Sequence, residues 1–325
     1  MTNSKYLLTG SMGCIGAWVL RHLLDRGETV TATDVNLDPI RPRLLLTDSE
    51  IDSIHWEKLD VTDSHAVDAL VKANSVKHII HLAGLQIPFC KANPSLGAAV
   101  NVTGTVNLLE AARHNGVHGL SYASSVGVMG PDDFYPIKPI TDSATLRPST
   151  LYGVYKVANE ESARIYWQDW QVNSVGLRPY VVYGIGRDQG MTADIAKAIL
   201  AIAADKPFHI RFDGDVTMQH ASDVANIFID CASSGYKGAP VCNLRGDVIS
   251  VSNIVSLFTE LFPDHKITFE QGSPLPYPAD FDDSGLRKIL PSLSYMSLAD
   301  GIQQDVRQYK QLLENDLIDL DQLNR

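Results

Sequence analysis

A phenol and an ammonium group stand four residues apart in Tyr152-Gly153-Val154-Tyr155-Lys156. On a helix this spacing brings both side chains to one face. A cation beside a phenol favours phenolate, which draws tyrosine toward the working range of a general acid/base for alcohol oxidation or ketone reduction. Surface pairs share the spacing, so the pattern gains weight only from its surroundings. Ser124 and Ser125 supply them. They end the strand-like run in Tyr122-Ala123-Ser124-Ser125-Val126-Gly127-Val128-Met129-Gly130, where a sheet's carboxyl edge can present a hydroxyl to hold a substrate oxygen against the phenol.

A second cluster, Gly10-Ser11-Met12-Gly13-Cys14-Ile15-Gly16, spaces three glycines as G-x-x-G-x-x-G after the apolar run Tyr6 to Thr9 and before a helical pattern. A pyrophosphate can approach backbone N–H groups at the positive end of such a helix only where no Cβ intervenes. A plain structural turn reads the same way when the triplet stands alone. Asp34, roughly 20 residues further on, ends the next strand, where a carboxylate accepts hydrogen bonds from both ribose hydroxyls and repels a 2′-phosphate. NAD is the expected cofactor, with NADP a minor alternative because Arg41 and Arg43 lie close in sequence. Asp60-Val61 follows the next strand in position to frame an adenine, and Asp63 fits equally as a helix N-cap.

These groups need a frame that delivers strand ends to one edge. Ile15 to Leu24 reads as a helix stopped by Gly27, Thr29 to Thr33 as a strand, Ser64 to Ala73 as a helix and Val76 to Leu82 as a buried strand. Pro94 to His114 reads as a long helix closed by Asn115-Gly116 and Leu120 to Ala123 as a strand. Leu151 to Trp167 reads as a helix, and Val172 to Leu177 as a strand entering the turn Arg178-Pro179. The expected class is α/β: a Rossmann-type doubly wound parallel sheet over residues 1–177, which also receives segments near 215–245. A smaller, mixed α/β substrate region takes 178–325. Proline and glycine thicken between Gly272 and Pro278, and Leu298 to Leu313 reads as a last amphipathic helix. Without a long polar linker, the second region is expected to pack on the sheet's carboxyl edge and leave a cleft.

At 325 residues the chain can bury a full core without metal or disulfide. Hydrophobic residues at 45% and charged residues at 20% describe a globular protein, not a disordered or fibrous one. The net charge of -11, with no Lys/Arg run, excludes a basic field for nucleic acid. Cys14, Cys90, Cys231 and Cys242 lack the paired spacings of zinc sites or redox dithiols and read as buried thiols of a reducing compartment. Met1 through Lys5 leads straight into an apolar run too brief for a signal peptide or membrane span, so the cytoplasm is the expected location, with no membrane partner.

Taken in order, several stretches closely resemble the extended short-chain dehydrogenases, the NAD-dependent epimerase/dehydratase family. They are Thr9 to Gly16, Asp34, Asp60-Val61, His81-Leu82-Ala83-Gly84, Asn101 with Gly104-Thr105, Ser124-Ser125, Tyr152 to Lys156, and Leu177-Arg178-Pro179-Tyr180-Val181-Val182-Tyr183-Gly184. The resemblance covers nearly the whole chain. It implies Tyr152 as catalytic acid/base, Lys156 as its partner that also binds the nicotinamide ribose, and Ser125 as the residue that orients substrate. It further implies a cofactor channel lined by Gly10, Gly13, Cys14, Ile15, Gly16, Asp34, Asp60, Val61, Leu82, Ala83, Gly84, Asn101 and Tyr180, together with Tyr152 and Lys156. His81 beside it reads as a hydrogen-bonded core histidine. A homodimer through the helices Pro94 to His114 and Leu151 to Trp167 is implied as well.

Members acting on nucleotide-diphosphate sugars resemble one another in clamping the diphosphate with arginines, whose forked donors suit phosphate. Here one such position falls on Val216 and the other near Glu270, although Arg187, Arg211 or Arg245 could serve instead. The chain is therefore read as an NAD-dependent oxidoreductase transferring hydride to or from a secondary alcohol of a small sugar-like substrate, a free sugar or sugar acid rather than a nucleotide sugar. Gln86, Ser124, Ser125, Gln189 and Gln219, with Phe89 and His220, are expected around that substrate. The alternatives are a redox-neutral epimerase with tightly bound NAD, a nucleotide-sugar 4-epimerase included, and a non-catalytic dinucleotide sensor. A sensor would have no use for a proton donor beside nicotinamide.

Overall fold

Runs rich in aliphatic and β-branched residues form β1 (Lys5–Thr9), β2 (Thr29–Asp34), β4 (His78–His81), β5 (Gly119–Ala123) and β6 (Ser174–Arg178) in the computed structural model, and the polar segment β3 (His55–Lys58) adds an edge strand. The structure describes residues 5–324, so the expected lead-in over the first four positions lies outside them. Between these strands run α1 (Cys14–Asp25), α2 (Asp48–Ser53), α3 (Ser64–Ala73), α4 (Ile87–Ala92), α5 (Pro94–Ala98), α6 (Gly104–Asn115) and α7 (Leu151–Trp170). The long helix expected over 94–114 is a continuous path, but Ala99–Thr103 between α5 and α6 is wound as a π-helix. Gly116 ends it in the left-handed conformation, at φ 63°.

The chain then builds β7 (Val181–Tyr183), α8 (Asp194–Ala203), β8 (Phe208–Ile210), β9 (Asp215–His220), α9 (Ala221–Ser233) and β10 (Val241–Asn243). It closes with β11 (Asp247–Ser250), α10 (Val251–Leu261), β12 (Ile267–Phe269), α11 (Ser284–Ile289) and α12 (Leu298–Glu314). The main sheet has the order β10-β6-β5-β4-β1-β2-β3, and all its neighbours are parallel. Strands β11, β9 and β7 form a small mixed sheet, and β12 pairs with β8. Of the 215–245 stretch, α9 and β10 return to the main sheet while β9 belongs to the small one. Among the described residues no helix is long and apolar enough to cross a membrane.

Parallel strands are covered on both faces, which is why they read as unbroken apolar runs. Leu7 and Ile79 pack with Val67 of α3 and Leu108 of α6, whereas Leu8 and Ile80 pack with Leu20 of α1 and Phe228 of α9. All eight are fully buried. Strand order reverses between β1 and β4, so the turns after these two strands diverge and open a crevice at the carboxyl edge.

One buried ionic frame ties the middle of the sheet to α7 and to the edge strand β10. Arg178, ending β6, forks onto both carboxylate oxygens of Glu160 on α7 at 2.9 and 2.7 Å. The two side chains are 3% and 4% exposed. Arg178 also donates to Asp142 O and Asn243 Oδ1, and Ser124 Oγ donates to Glu160 Oε1 at 2.5 Å. Losing one member of such a pair strands a dry charge, whereas replacing both with apolar groups need not. Glu160→Ala is expected to lose about 3–5 kcal/mol of unfolding free energy in a urea titration. Glu160→Leu combined with Arg178→Met is expected to recover much of that loss.

Candidate functional site

The crevice at the strand reversal is a cavity of 580 Å³ floored by the glycine turn. Gly10 has φ +74°, and a Cβ there would lie 2.6 Å from Ala83 N; one at Gly16 would lie 2.3 Å from Gly10 O. Gly13 starts α1 with no side-chain capping bond, which leaves the helix's first N–H groups open to an anion. At the other end Asp34 accepts from Met12 N at 3.1 Å and Val35 N at 2.8 Å, which aims its carboxylate along the cleft. Asp60 accepts from the amide and hydroxyl of Thr62, and Asp63 caps α3 through Ala66 N. Cys14, Ile15, Val61, Leu82, Ala83 and Gly84 border the same cavity. The set fits a dinucleotide: backbone N–H groups for pyrophosphate, Asp34 for ribose hydroxyls, and Asp60 with Val61 able to frame an adenine. Arg41 forks onto Asp188 and donates to Met12 O, so it is engaged where a 2′-phosphate would need it, and Arg43 is an exposed residue that does not border the cleft.

A second cavity, of 220 Å³, adjoins the first along Cys14, Leu82 and Gly84 and is bordered by Ser125, Tyr152 and Lys156. Thr150, two residues before the phenol, caps α7 by accepting from Gly153 N at 3.1 Å. Lys156 is buried; its ammonium donates to Ala123 O at 2.7 Å and lies 5.5 Å from the centre of the Tyr152 ring. Burial brings its pKa down to about 8. Ser125 Oγ accepts from Gly127 N at 3.0 Å. Burial raises the Tyr152 phenol above its ordinary value, opposed by its hydrogen bond with Ser125 and then by the Arg187 cation. The Lys156 ammonium sits over the ring face, and a second cation, Arg187 from the loop after β7, also acts on the hydroxyl.

Gln86 borders both cavities and a third, of 710 Å³, that also takes in Gln189 and half-exposed Phe89. Other expected contacts are placed differently. Ser124 touches the small cavity, but its hydroxyl is committed to Glu160 and its side chain is 2% exposed, so it holds the end of β5 rather than a substrate. Gln219 is buried, accepting from Tyr180 N at 2.9 Å and donating to Leu244 O at 3.0 Å. Asn101 bonds both backbone groups of Leu85 and Cys90 Sγ, bracing the turn after β4 behind the cavity wall instead of meeting cofactor. His220 is enclosed against Asp305 at 3.2 Å. Tyr180 borders the small cavity, not the dinucleotide cleft. The common cause is that hydroxyls and amides at strand ends satisfy buried backbone and charged groups nearby.

The two clamp positions lack arginine in space as in sequence. Val216 is enclosed in β9, and Glu270 pairs with His209 at 3.2 Å. Arg211 forks onto buried Asp194, and Arg245 pairs with Asp280. Sequence reasoning underrated Arg187, which borders both inner cavities, and missed Gln322 on the rim of the dinucleotide cleft. The signal for Arg187 was its flanking by Gly184, Gly186 and Gly190, all with positive φ, the mark of a tight loop.

A doubly wound sheet with an open helix start at its reversal, next to a cavity bordered by a partly buried tyrosine and serine and a buried lysine, defines an NAD-dependent enzyme of the short-chain dehydrogenase class. A family model for the NAD dependent epimerase/dehydratase family matches residues 6–241. An uncharacterized 37.6 kDa protein of Escherichia coli O111:H- is 33% identical over 205 residues, a stretch spanning 60% of this chain and 60% of that one. A UDP-glucose 4-epimerase of Mycolicibacterium smegmatis is 30% identical over 233 residues, 69% of this chain and 72% of that one. The solved L-threonine dehydrogenase of Clostridium difficile shares the fold at TM-score 0.81 and 22% identity, covering 98% of this chain and 100% of that one. The chain belongs to the NAD dependent epimerase/dehydratase family and uses NAD, as a dehydrogenase or an epimerase.

Beside this site His81 is a core residue, as its sequence context implied. Its ring nitrogens meet Thr9 Oγ1 at 2.7 Å and Thr105 Oγ1 at 3.1 Å. Burial, and then the nearby Lys156, bring its pKa from 6.5 down to about 3. The folded state thus keeps the ring neutral where the unfolded chain binds a proton, so stability falls as pH drops through that window. His81→Gln is expected to flatten this acid limb by up to about 1.4 kcal/mol per pH unit, read from urea unfolding at stepped pH.

Proposed function

We propose that the enzyme oxidises, or in reverse forms, a secondary alcohol of a small sugar-like substrate, a free sugar or sugar acid rather than a nucleotide sugar. The observation that carries this reading is the convergence of Ser125, Tyr152 and Lys156 on one 220 Å³ cavity adjoining the dinucleotide cleft. NAD, when bound, supplies the hydride acceptor or donor. The glycine turn and the start of α1 would hold its pyrophosphate, and Asp34 a ribose. Ser125 would hold the substrate oxygen by its hydroxyl. Tyr152 would take the alcohol proton, or return it, with the ammonium of Lys156 over its ring and the Arg187 cation favouring the phenolate that forms.

Two features support a small substrate: the expected clamp positions carry the enclosed Val216 and the carboxylate Glu270, and neither offers a guanidinium to a diphosphate. The second reading, a redox-neutral epimerase with a nucleotide-sugar 4-epimerase included, draws support from the 710 Å³ cavity beyond Gln86, bordered by Lys197 and Arg211. Leu96 on α5, with Val154 and Trp170 on α7, is an exposed apolar residue and favours a homodimer through these helices. Buried, unpaired Cys90, Cys231 and Cys242 suit the reducing cytoplasm.

Purified protein given NAD and a panel of sugars and sugar acids is expected to accumulate NADH absorbance; isomer formed without it would select the epimerase. Tyr152→Phe is expected to lower turnover about 10²–10⁴-fold while leaving NAD affinity in calorimetry essentially unchanged. Full activity in that variant would remove Tyr152 as the proton carrier. Light scattering is expected to give a dimer mass, and a monomer mass would refute the helix interface.

A further inference from the structure

Arg187 is a cation at the junction of two cavities, and the carboxylate next to it, Asp188, is paired elsewhere. Its Nη2 donates to Thr192 Oγ1 at 3.2 Å, while its Nε is shielded from solvent and has no hydrogen-bond partner. Among the described residues no carboxylate forms an ion pair with it. The adjacent Asp188 is taken by the fork of Arg41 at 3.0 and 2.8 Å. The other arginines that border the cavities are compensated: Arg41 by Asp188 and Arg211 by Asp194. Burial accordingly pushes the Arg187 guanidinium below its ordinary value, the opposite of what an ion pair does for Arg211. A partly buried charge lacking a paired counter-ion is a cost to the fold, and such costs concentrate where a ligand completes the arrangement.

The local geometry keeps this position open. A Cβ at Gly190 would lie 2.7 Å from Gln86 Oε1 and 3.1 Å from Arg187 Nη2, so the loop leaves room around the guanidinium that a side chain would fill. The guanidinium borders both the cavity floored by the glycine turn and the one that holds Tyr152, and its forked donors suit a carboxylate or phosphate.

We infer that Arg187 is the receptor for an oxyanion of the bound ligand, a carboxylate or a phosphate, at the junction of the dinucleotide cleft and the small cavity. The oxyanion comes either from the substrate, as the carboxylate of a sugar acid, or from the cofactor, as its pyrophosphate. The substrate source rests on the function proposed above, whereas the cofactor source does not.

Arg187→Gln and Arg187→Met remove the charge, and Arg187→Lys keeps the charge without the fork. Three readouts apply: melting of the protein alone, NAD affinity by calorimetry, and the melting shift that tartrate, a hydroxy-acid probe, induces in NAD-saturated protein. Its neutral counterpart threitol is the control. Without ligand, the two neutral variants are expected to melt at or above the wild-type temperature, because an uncompensated charge has gone. A loss of NAD affinity of about tenfold or more assigns the oxyanion to the cofactor. NAD affinity within about twofold of wild type, with the tartrate shift abolished and threitol behaving as before, assigns it to the substrate. Arg187→Lys is expected to recover part of whichever signal is lost. Neutral variants that melt lower without ligand would make the guanidinium structural and overturn the inference. So would variants that match wild type in both NAD affinity and tartrate response. None of these readouts needs turnover, so failure of the proposed reaction and failure of this inference are separately visible.

Discussion

No side chain fits between the turn that follows β1 and the turn that follows β4. A Cβ at Gly10 would stand 2.6 Å from a backbone nitrogen, and one at Gly16 only 2.3 Å from the Gly10 carbonyl oxygen. Steric exclusion acts over fractions of an ångström, so this contact sets the crevice more sharply than any single hydrogen bond. With the two turns locked together, α1 begins inside the crevice with its N–H groups exposed to it, and Met12 N reaches Asp34 from the same turn. The turn after β4, braced by Asn101, becomes a wall shared by the dinucleotide cleft and the smaller cavity.

Helix α7 carries a second constraint of a different kind. Tyr152, Lys156 and Glu160 recur at four-residue intervals, so one helix face presents the phenol, the ammonium and the carboxylate of the buried ion pair in turn. Glu160 is locked to Arg178 on β6 and to Ser124 at the end of β5. Lys156 reaches Ala123 on the same strand end. The phenol and the ammonium therefore stand on rigid elements cross-linked by charge-assisted hydrogen bonds, with few soft torsions between the phenol and the sheet.

The loop after β7 contributes the other cation. Its glycines let it turn sharply, and the result is a guanidinium close enough to oppose the rise that burial imposes on Tyr152. Gln86 in the turn after β4 touches all three cavities, and the loop after β7 borders them through Arg187 and Gln189, so both segments face whatever occupies them.

Much of this was legible in the chain itself. Apolar runs, their alternation with helical patterns, and the helix-ending Asn115-Gly116 delimited the main sheet's strands and helices, because local periodicity and backbone preference are written in neighbouring residues. The glycine triplet, Asp34, Ser125, Tyr152 and Lys156 were legible for the same reason: each depends on a short motif whose element places it. What the tertiary structure alone decided was the partner of each polar group. Ser124 is claimed by Glu160, 36 residues away, Gln219 bridges two backbone segments, and Arg41 is spent on Asp188 at a separation of 147. It also left Arg187 as the arginine at both inner cavities without an ion-pair partner among the described residues. Hydrogen bonds and ion pairs are chosen by proximity in space, and residues far apart in sequence become near only once the sheet has formed.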